Sequence, residues 1–203
     1  MIVIGVVGGI ASGKSEVTAA LRRLGAEVLD ADRMGHEVLE EPAVRQALVR
    51  RWGAAVLDAH GRVDRRRVAA IVFAPPPAGP EERTYLEQLT HPRIGQRLRE
   101  RLADLTQQGR APAAVLDAAL LIEAGWDRLC QRLLFVEAPR AQRLARARLR
   151  GWTAAEFDAR EAAQEPLAAK RARAHVIIDN SSSLESTFAQ VERFWRCTVI
   201  APD

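Results

Sequence analysis

The sequence predicts an α/β fold with a parallel β-sheet and flanking helices. Short apolar runs rich in Val, Ile and Leu recur along the chain, and the segments between them are long enough to hold helices. Parallel strands need such long crossover connections, whereas antiparallel strands can be joined by tight turns. The five expected strands occupy residues 1–7, 27–29, 113–117, 132–136 and 176–178.

The first strand leads directly into a glycine-rich loop and then a helix. Residues 8–15 (GGIASGKS) match the pattern G-x-x-x-x-G-K-[ST], and apolar residues follow at helical spacing from 16 to 24, before Gly25. In such a loop the backbone N–H groups face phosphates, the lysine reaches the β and γ phosphates, and the hydroxyl binds Mg²⁺. The sequence therefore predicts a P-loop NTPase-type sheet that binds a nucleoside triphosphate. The expected nucleotide-binding residues are Gly8, Gly9, Ile10, Ala11, Ser12, Gly13, Lys14 and Ser15.

Lysine is rare in this chain. Of the 30 basic residues only Lys14 and Lys170 are lysines, and the rest are arginines. Because a planar guanidinium is broader than an ammonium, the lysine at position 14 supports the P-loop assignment. The guanine-reading motif N/T-K-x-D needs an Asp two residues after a lysine. Neither lysine has one, so guanine specificity of that type is excluded.

The middle of the chain predicts a helical insertion, over about 34–109, that receives a substrate. Apolar spacing favours helices over about 34–50, 64–73, 81–90 and 92–107. Pro92 suits the first position of the last of these helices. With 203 residues the chain suits one domain. Its core is expected at about 1–33, 110–138 and 174–203.

Positive charge is concentrated in an Arg-rich helical segment, expected at about 139–173. Residues 140–173 hold nine cations and four carboxylates, while the whole chain has a net charge of +4. This pattern favours a lid that closes over phosphates, although such runs are also typical of solvated helix faces. Capping boxes are predicted at Thr153–Glu156 and at Ser182–Glu185.

Composition narrows the function classes. The opening strand has no basic segment before it, and no apolar run is long enough to cross a bilayer, so we expect a cytoplasmic protein without a signal peptide. Cys130 and Cys197 lack metal or redox spacing and are expected to be buried or inert. Aromatic residues make up only 5%, which argues against nucleic-acid binding despite a pI of 9.8.

Several further motifs, in order along nearly the whole chain, resemble the dephospho-coenzyme A kinases. They are DAD at 30–32, GRVDR at 61–65, VF at 72–73, LEQLTHPRI at 86–94, LLIE at 120–123, and a C-terminal set formed by Arg160, Gln164, residues 166–167, Lys170 and residues 174–180. The resemblance implies a P-loop kinase that transfers the ATP γ-phosphoryl group to the ribose 3′-hydroxyl of dephospho-coenzyme A. ATP and Mg²⁺ would be its co-substrate and metal, and the protein a monomer or small homo-oligomer.

The resemblance also implies site residues. Asp32 would take the proton of the ribose hydroxyl, with helix capping by Asp30 or Asp32 as the alternative. Asp117 ends an apolar strand and would hold Mg²⁺ through water, unless it is structural. Glu123 would orient the substrate or cap a helix. The remaining substrate-binding candidates are Arg65, His91 and Leu120, with solvation open for Arg65 and helix capping open for His91.

The lid arginine is ambiguous, because the expected position falls at Leu149, between Arg148 and Arg150. Arg148 is the preferred catalytic candidate, with Arg150 and Arg160 on the ATP phosphates. Arg160 can alternatively pair with Glu156 on its own helix. The chain departs from the family pattern at four further positions: Glu16 for Thr, beside the α-phosphate and so among the nucleotide-binding residues, Ala119 for Pro, Ile122 for Phe and His175 for Asp.

Two other functions stay open at this point. One is another P-loop kinase of small metabolites, such as a nucleoside monophosphate kinase. The other, a nucleotide-gated nucleic-acid binding protein, rests only on the basic pI.

Overall fold

The computed structural model describes residues 1–201, and its centre is a parallel five-stranded sheet. All strand pairs are parallel, in the order β2-β3-β1-β4-β5. The strands are β1 (Ile2–Gly8), β2 (Glu27–Asp30), β3 (Ala113–Asp117), β4 (Arg132–Glu137) and β5 (Val176–Asp179). The predicted α/β fold and all five predicted strands are confirmed.

Nine α-helices are present in the described part of the chain. They are α1 (Lys14–Arg23), α2 (Ala31–Leu39), α3 (Pro42–Trp52), α4 (Arg65–Val72), α5 (Ala78–Gln108), α6 (Arg140–Leu149), α7 (Ala154–Ala162), α8 (Leu167–Arg173) and α9 (Leu184–Trp195). No helix within residues 1–201 is both long and apolar enough to cross a membrane.

Two compact units emerge from the contacts. The sheet unit combines residues 1–30 with the described residues from Arg101 onward, and the helical unit comprises residues 31–100. In the sheet unit the inward side chains of β1, β4 and β5 pack against α1 and α9. The fully buried residues of this core include Ile4, Val6, Val17, Leu21, Leu134 and Val191. Truncation of such a leucine to alanine typically costs about 2–5 kcal/mol.

The helical unit has its own apolar core and a set of ion pairs. Val38, Val44 and Leu48 are completely or almost completely buried. On its surface Arg97 of α5 pairs with Glu37 of α2 and with Glu41, at 3.1 and 2.8 Å.

Two predictions of helix boundaries were wrong. The single helix expected over 34–50 is two helices, because the chain turns at residues 40–41 and Pro42 opens α3. Pro92 lies inside α5 rather than at a helix start. Burial of Ile94 and Leu98 on the following turns favours a continuous helix despite the cost of about 3 kcal/mol for an internal proline.

The two capping predictions had different outcomes. At Thr153 both halves of the box are present, since the Thr153 side chain accepts from the Glu156 N–H and the Glu156 carboxylate accepts from the Thr153 N–H. The second prediction was one residue too early, because Ser183, not Ser182, caps α9 and accepts from the Ser186 N–H.

Candidate active site

The P-loop follows β1 and ends at the first residue of α1, as predicted. The Lys14 ammonium donates to the carbonyl oxygens of Gly8 and Gly9, both at 3.3 Å. Gly13 has a φ of 100°, and Ala11 adopts a left-handed conformation with a φ of 56°. The loop therefore leads the N–H groups of the first turn of α1, the positive end of the helix dipole, to an open edge of the sheet, where phosphates bind well.

Asn180, the residue directly after β5, fixes the loop. Its side-chain amide is buried and donates to the Ser12 carbonyl at 2.7 Å, and its own oxygen accepts from the Thr187 hydroxyl at 2.9 Å. A Cβ atom at Gly13 would lie 2.0 Å from the Asn180 amide nitrogen. Glycine is therefore required at position 13 both by its backbone conformation and by the close approach of Asn180.

Two arginines of α6 have protein partners near the loop, and one of them bonds the loop itself. Arg146 donates to the carbonyl oxygens of Ser12 and Asn180, at 3.1 and 3.0 Å. Arg143 is buried, donates to the Ala138 carbonyl at 3.1 Å and forms an ion pair with Glu161. Sequence reasoning assigned no role to Arg143, Arg146 or Asn180, although all three follow strands that end at the loop edge of the sheet.

The last turn of α6 is different. Arg148, Leu149 and Arg150 are exposed, and the Leu149 side chain, at 90%, is the most exposed large apolar residue of the described chain. The structure thus places both lid candidates at the surface of the segment beside the α6–α7 turn. It does not choose between Arg148 and Arg150.

Arg160 is exposed on α7, and its guanidinium lies 4.3 Å from the ring centroid of Trp152. Glu156 is occupied by its cap: hydrogen bonds from Thr153 lower the pKa of Glu156, with a smaller contribution from the charge of Arg160. Glu156 and Arg160 therefore interact through their charges, while stacking on Trp152 sets the position of Arg160.

The candidate magnesium ligands emerge at the same edge of the sheet. Asp117 ends β3 and is in register with Val6 of β1, two residues before the P-loop begins, while Ser15 is the second residue of α1. A hydroxyl and a carboxylate are hard oxygen donors that suit Mg²⁺, which takes most of its ligands from phosphates and water. Among the described residues no cluster of three or more His, Cys, Asp or Glu side chains could hold a metal alone. The donor set therefore fits a metal that arrives with the nucleotide.

Glu123 and Lys170 form an ion pair in the sheet unit. The Lys170 ammonium lies 2.8 Å from Glu123 and 3.2 Å from the side-chain oxygen of Gln164, and Glu123 also accepts from the Glu165 N–H at 2.9 Å. Partial burial acts to raise the pKa of Glu123, but these hydrogen bonds outweigh it and hold the pKa below its usual value. Glu123 is thus an ionised partner of Lys170 rather than a helix cap.

The candidate substrate residues of the helical unit occupy separate elements. Asp32 is exposed in the first turn of α2, inside the helix rather than at its N-cap. Arg65 lies 2.8 Å from a ring nitrogen of His36, and both line a cavity of about 440 Å³. His91 lies within α5, so the helix-capping alternative for His91 was wrong. Burial lowers its pKa, and the charge of Glu87 opposes the shift.

Comparison with known proteins decides the family. A family model described as dephospho-CoA kinase matches residues 2–186. The chain belongs to the dephospho-CoA kinase family. A dephospho-CoA kinase of Symbiobacterium thermophilum is 41% identical over 201 residues, which cover 97% of this chain and 81% of the relative.

Solved structures share the fold of this chain. A crystal structure from Thermus thermophilus has a TM-score of 0.79 at 37% identity, and covers 95% of this chain and 94% of its own. A dephospho-CoA kinase from Campylobacter jejuni has the same fold, with a TM-score of 0.74 at 22% identity, covering 99% of this chain and 98% of its own.

The departures from the family pattern have simple surroundings. Glu16 is exposed in the first turn of α1. Ile122 is buried in the turn after β3, whereas its neighbour Ala119 is exposed. His175 precedes β5 and supports the strand pairing, because its backbone N–H donates to the Leu133 carbonyl and its ring Nδ1 accepts from the Leu133 N–H.

The two cysteines differ. Cys130 is half-buried, and burial raises the pKa of its thiol to about 12, which favours the expected inert thiol. Cys197 is exposed, so of the two expected alternatives, buried or inert, burial does not apply to this residue.

Proposed function

We propose that the chain transfers the γ-phosphoryl group of ATP to the ribose 3′-hydroxyl of dephospho-coenzyme A, giving coenzyme A and ADP. The observation that carries the proposal is family membership over residues 2–186 combined with a P-loop whose backbone is already held in place by Asn180 and Arg146. Catalysis of phosphoryl transfer is largely positioning and charge neutralisation, which such a loop supplies.

In the proposed reaction the 3′ oxygen forms a bond to the γ-phosphorus, and the bond from that phosphorus to the β–γ bridging oxygen breaks. Asp32 accepts the hydroxyl proton, and ADP leaves. Lys14 and the N–H groups of residues 8–16 hold the phosphates. Arg148 neutralises charge in the transition state, and Arg150 and Arg160 contact the ATP phosphates.

The proposal includes Mg²⁺, held by the Ser15 hydroxyl and by Asp117 through water. Held by these two residues together with the nucleotide, the ion would supply positive charge that neutralises the phosphates. Because Ser15 opens α1 and Asp117 ends β3, both ligands are carried by regular elements of the sheet unit.

The substrate would be received by Arg65, His91, Leu120 and Glu123. We propose that residues 34–109 form the substrate-binding insertion and 139–173 the lid of one kinase domain; the compact helical unit of residues 31–100 supports the first of these assignments. Both substrates are small nucleotides of the cell interior, so the proposal places a monomer or small homo-oligomer in the cytoplasm.

A coupled ADP-release assay tests the substrate. We expect turnover with dephospho-coenzyme A and none above background with adenosine monophosphate. The reverse result would favour a nucleoside monophosphate kinase and overturn the proposal.

Asp32→Asn tests the proposed base. The variant keeps the shape of the side chain, and we expect an unchanged melting temperature and ATP affinity, with turnover lowered at least about a hundredfold because general-base help is lost. Thermal unfolding, nucleotide titration and steady-state kinetics on this variant check the three expectations. Turnover close to that of the unmodified protein would remove Asp32 from the chemistry.

A further inference from the structure

Lys170 is a buried cation with an incomplete set of partners. Its side chain is only 3% exposed, and it lies on α8. An ammonium carries three N–H donors. Two of them are accounted for, by Glu123 at 2.8 Å and Gln164 at 3.2 Å. No described residue accepts the third, which is costly for a charged group so far from water.

The position of Lys170 gives this third donor a destination. Lys170 and Lys14, the only two lysines of the chain, line the same narrow pocket at the loop edge of the sheet. Gly8, Ala119 and Glu123 form other parts of its wall. Glu123 compensates the charge of Lys170, and an anion bound between the two ammonium groups would offset the charge that Lys14 adds to the pocket.

The surroundings also explain why the residue is a lysine. The remaining wall of the pocket consists of small and aliphatic side chains, among them Ala118 and Leu121. A slim ammonium can point one donor into such a space, whereas a guanidinium is broad and planar. All other basic positions of the chain are arginines, and the only two lysines line this same pocket.

We propose that Lys170 is a second phosphate-binding ammonium, whose third N–H donates to an oxygen of the γ-phosphoryl group of ATP, across the pocket from Lys14. The inference rests on the proposed function for its ATP substrate. Glu123 and Gln164 hold the other two donors, so that the ammonium is positioned before the nucleotide binds and needs no reorganisation when the phosphoryl group is transferred.

The test compares the affinities for ATP and ADP, measured by titration without dephospho-coenzyme A. Lys170→Met should weaken ATP binding about ten- to a hundredfold, the range for a hydrogen bond to a charged group, and leave ADP binding within about twofold. Since Lys170→Met leaves Glu123 unpaired and can destabilise the fold, the double variant Lys170→Met, Glu123→Gln removes both charges and should show the same loss of ATP preference.

Arg173→Met is the matched control. Arg173 lies on the same helix and pairs with the buried carboxylate of Asp127 at 2.5 Å, but it does not line the pocket. We expect it to lower the melting temperature and leave the ratio of ATP to ADP affinity unchanged. If Lys170→Met behaves in the same way, Lys170 is a structural ion pair and the proposal is overturned. Equal losses for ATP and ADP would overturn it as well.

The outcomes for this inference and for the proposed function are separable. If the protein does not phosphorylate dephospho-coenzyme A, but Lys170→Met lowers the ratio of ATP to ADP affinity, the proposed substrate is refuted and the phosphate contact is kept. If the protein phosphorylates dephospho-coenzyme A and Lys170→Met leaves that ratio unchanged, the substrate is kept and the phosphate contact is refuted.

Discussion

The two ends of helix α6 use the same residue type in opposite ways. Toward its start, Arg143 and Arg146 are bound by backbone carbonyls and, for Arg143, by the carboxylate of Glu161. At its end, Arg148 and Arg150 are exposed to solvent. One helix thus carries two arginines bonded to other parts of the protein and two arginines that a ligand can reach.

The difference follows from solvation. A guanidinium withdrawn from water must have its donors satisfied by the protein, so the buried Arg143 and the half-buried Arg146 have protein partners before any nucleotide arrives. An exposed guanidinium is satisfied by water and can exchange that water for phosphate oxygens at little cost in stability. We therefore expect Arg143 and Arg146 to set the shape of the site, and the exposed arginines to act on the transition state.

Substitutions at the exposed end of α6 should have the largest effect on turnover. Removal of an arginine that neutralises the transferring phosphoryl group costs as much as about 10³–10⁵-fold in turnover. We expect Arg148→Ala to be severe and Arg150→Ala mild, with melting temperatures near that of the unmodified protein for both. Steady-state kinetics and thermal unfolding of the two variants provide the measurement.

Two equally mild variants would break the comparison, because the exposed end would then be a solvated helix face. A severe Arg150 variant with a mild Arg148 variant would keep the comparison and exchange the two assignments.

Substitution of Arg146, which has protein partners, should have an intermediate effect, and it should act on stability and nucleotide affinity. Arg146→Ala removes two hydrogen bonds that hold the carbonyls of Ser12 and Asn180. We expect a loss of about 1–3 kcal/mol in the free energy of unfolding, and weaker binding of ATP and ADP to the same degree, since the loop and not one phosphate is affected. Denaturant unfolding and nucleotide titration check both expectations.

Arg140→Ala is the control for the buried end. Arg140 is on the first turn of the same helix, but its ion pair with Asp158 is exposed, so its loss should change the free energy of unfolding by no more than about 0.5 kcal/mol. Unchanged stability and affinity in the Arg146 variant would show that Asn180 alone suffices to hold the loop.

The same contrast explains which parts of the molecule could be predicted from the sequence. The strands, the P-loop and the cap at Thr153 depend on residues close together in the chain, and periodicity or spacing is enough to find them. The support of the P-loop is not local: Arg146 is separated from Ser12 by 134 residues, and Asn180 by 168. No periodicity marks such contacts, so sequence reasoning singled out neither Arg146 nor Asn180.

The predictions of helix boundaries in the helical unit were wrong for a related reason. The break between α2 and α3 and the continuity of α5 through Pro92 are decided by which side chains reach a shared core. Local preference disfavours an internal proline, but burial of Ile94 and Leu98 outweighs it. The proposed site residues of this unit, Asp32 and Arg65 among them, follow from family motifs and not from any spacing rule.

Glu16 gives the smallest expected effect and extends the comparison to an exposed group of opposite sign. It lies in the first turn of α1, where a carboxylate interacts favourably with the helix dipole by about 0.3–1 kcal/mol but repels the phosphates of a bound nucleotide. Glu16→Thr should therefore lower the free energy of unfolding slightly and tighten ATP binding by less than about tenfold, since exposed charges interact weakly.

The gain in ATP affinity should be larger at low ionic strength, because salt screens exposed charges. Isothermal titration at two salt concentrations measures both the gain and its screening. Weaker ATP binding by the variant would mean that the Glu16 carboxylate makes a favourable contact in the complex, and that exposure alone does not predict which side chains of this site act through the ligand.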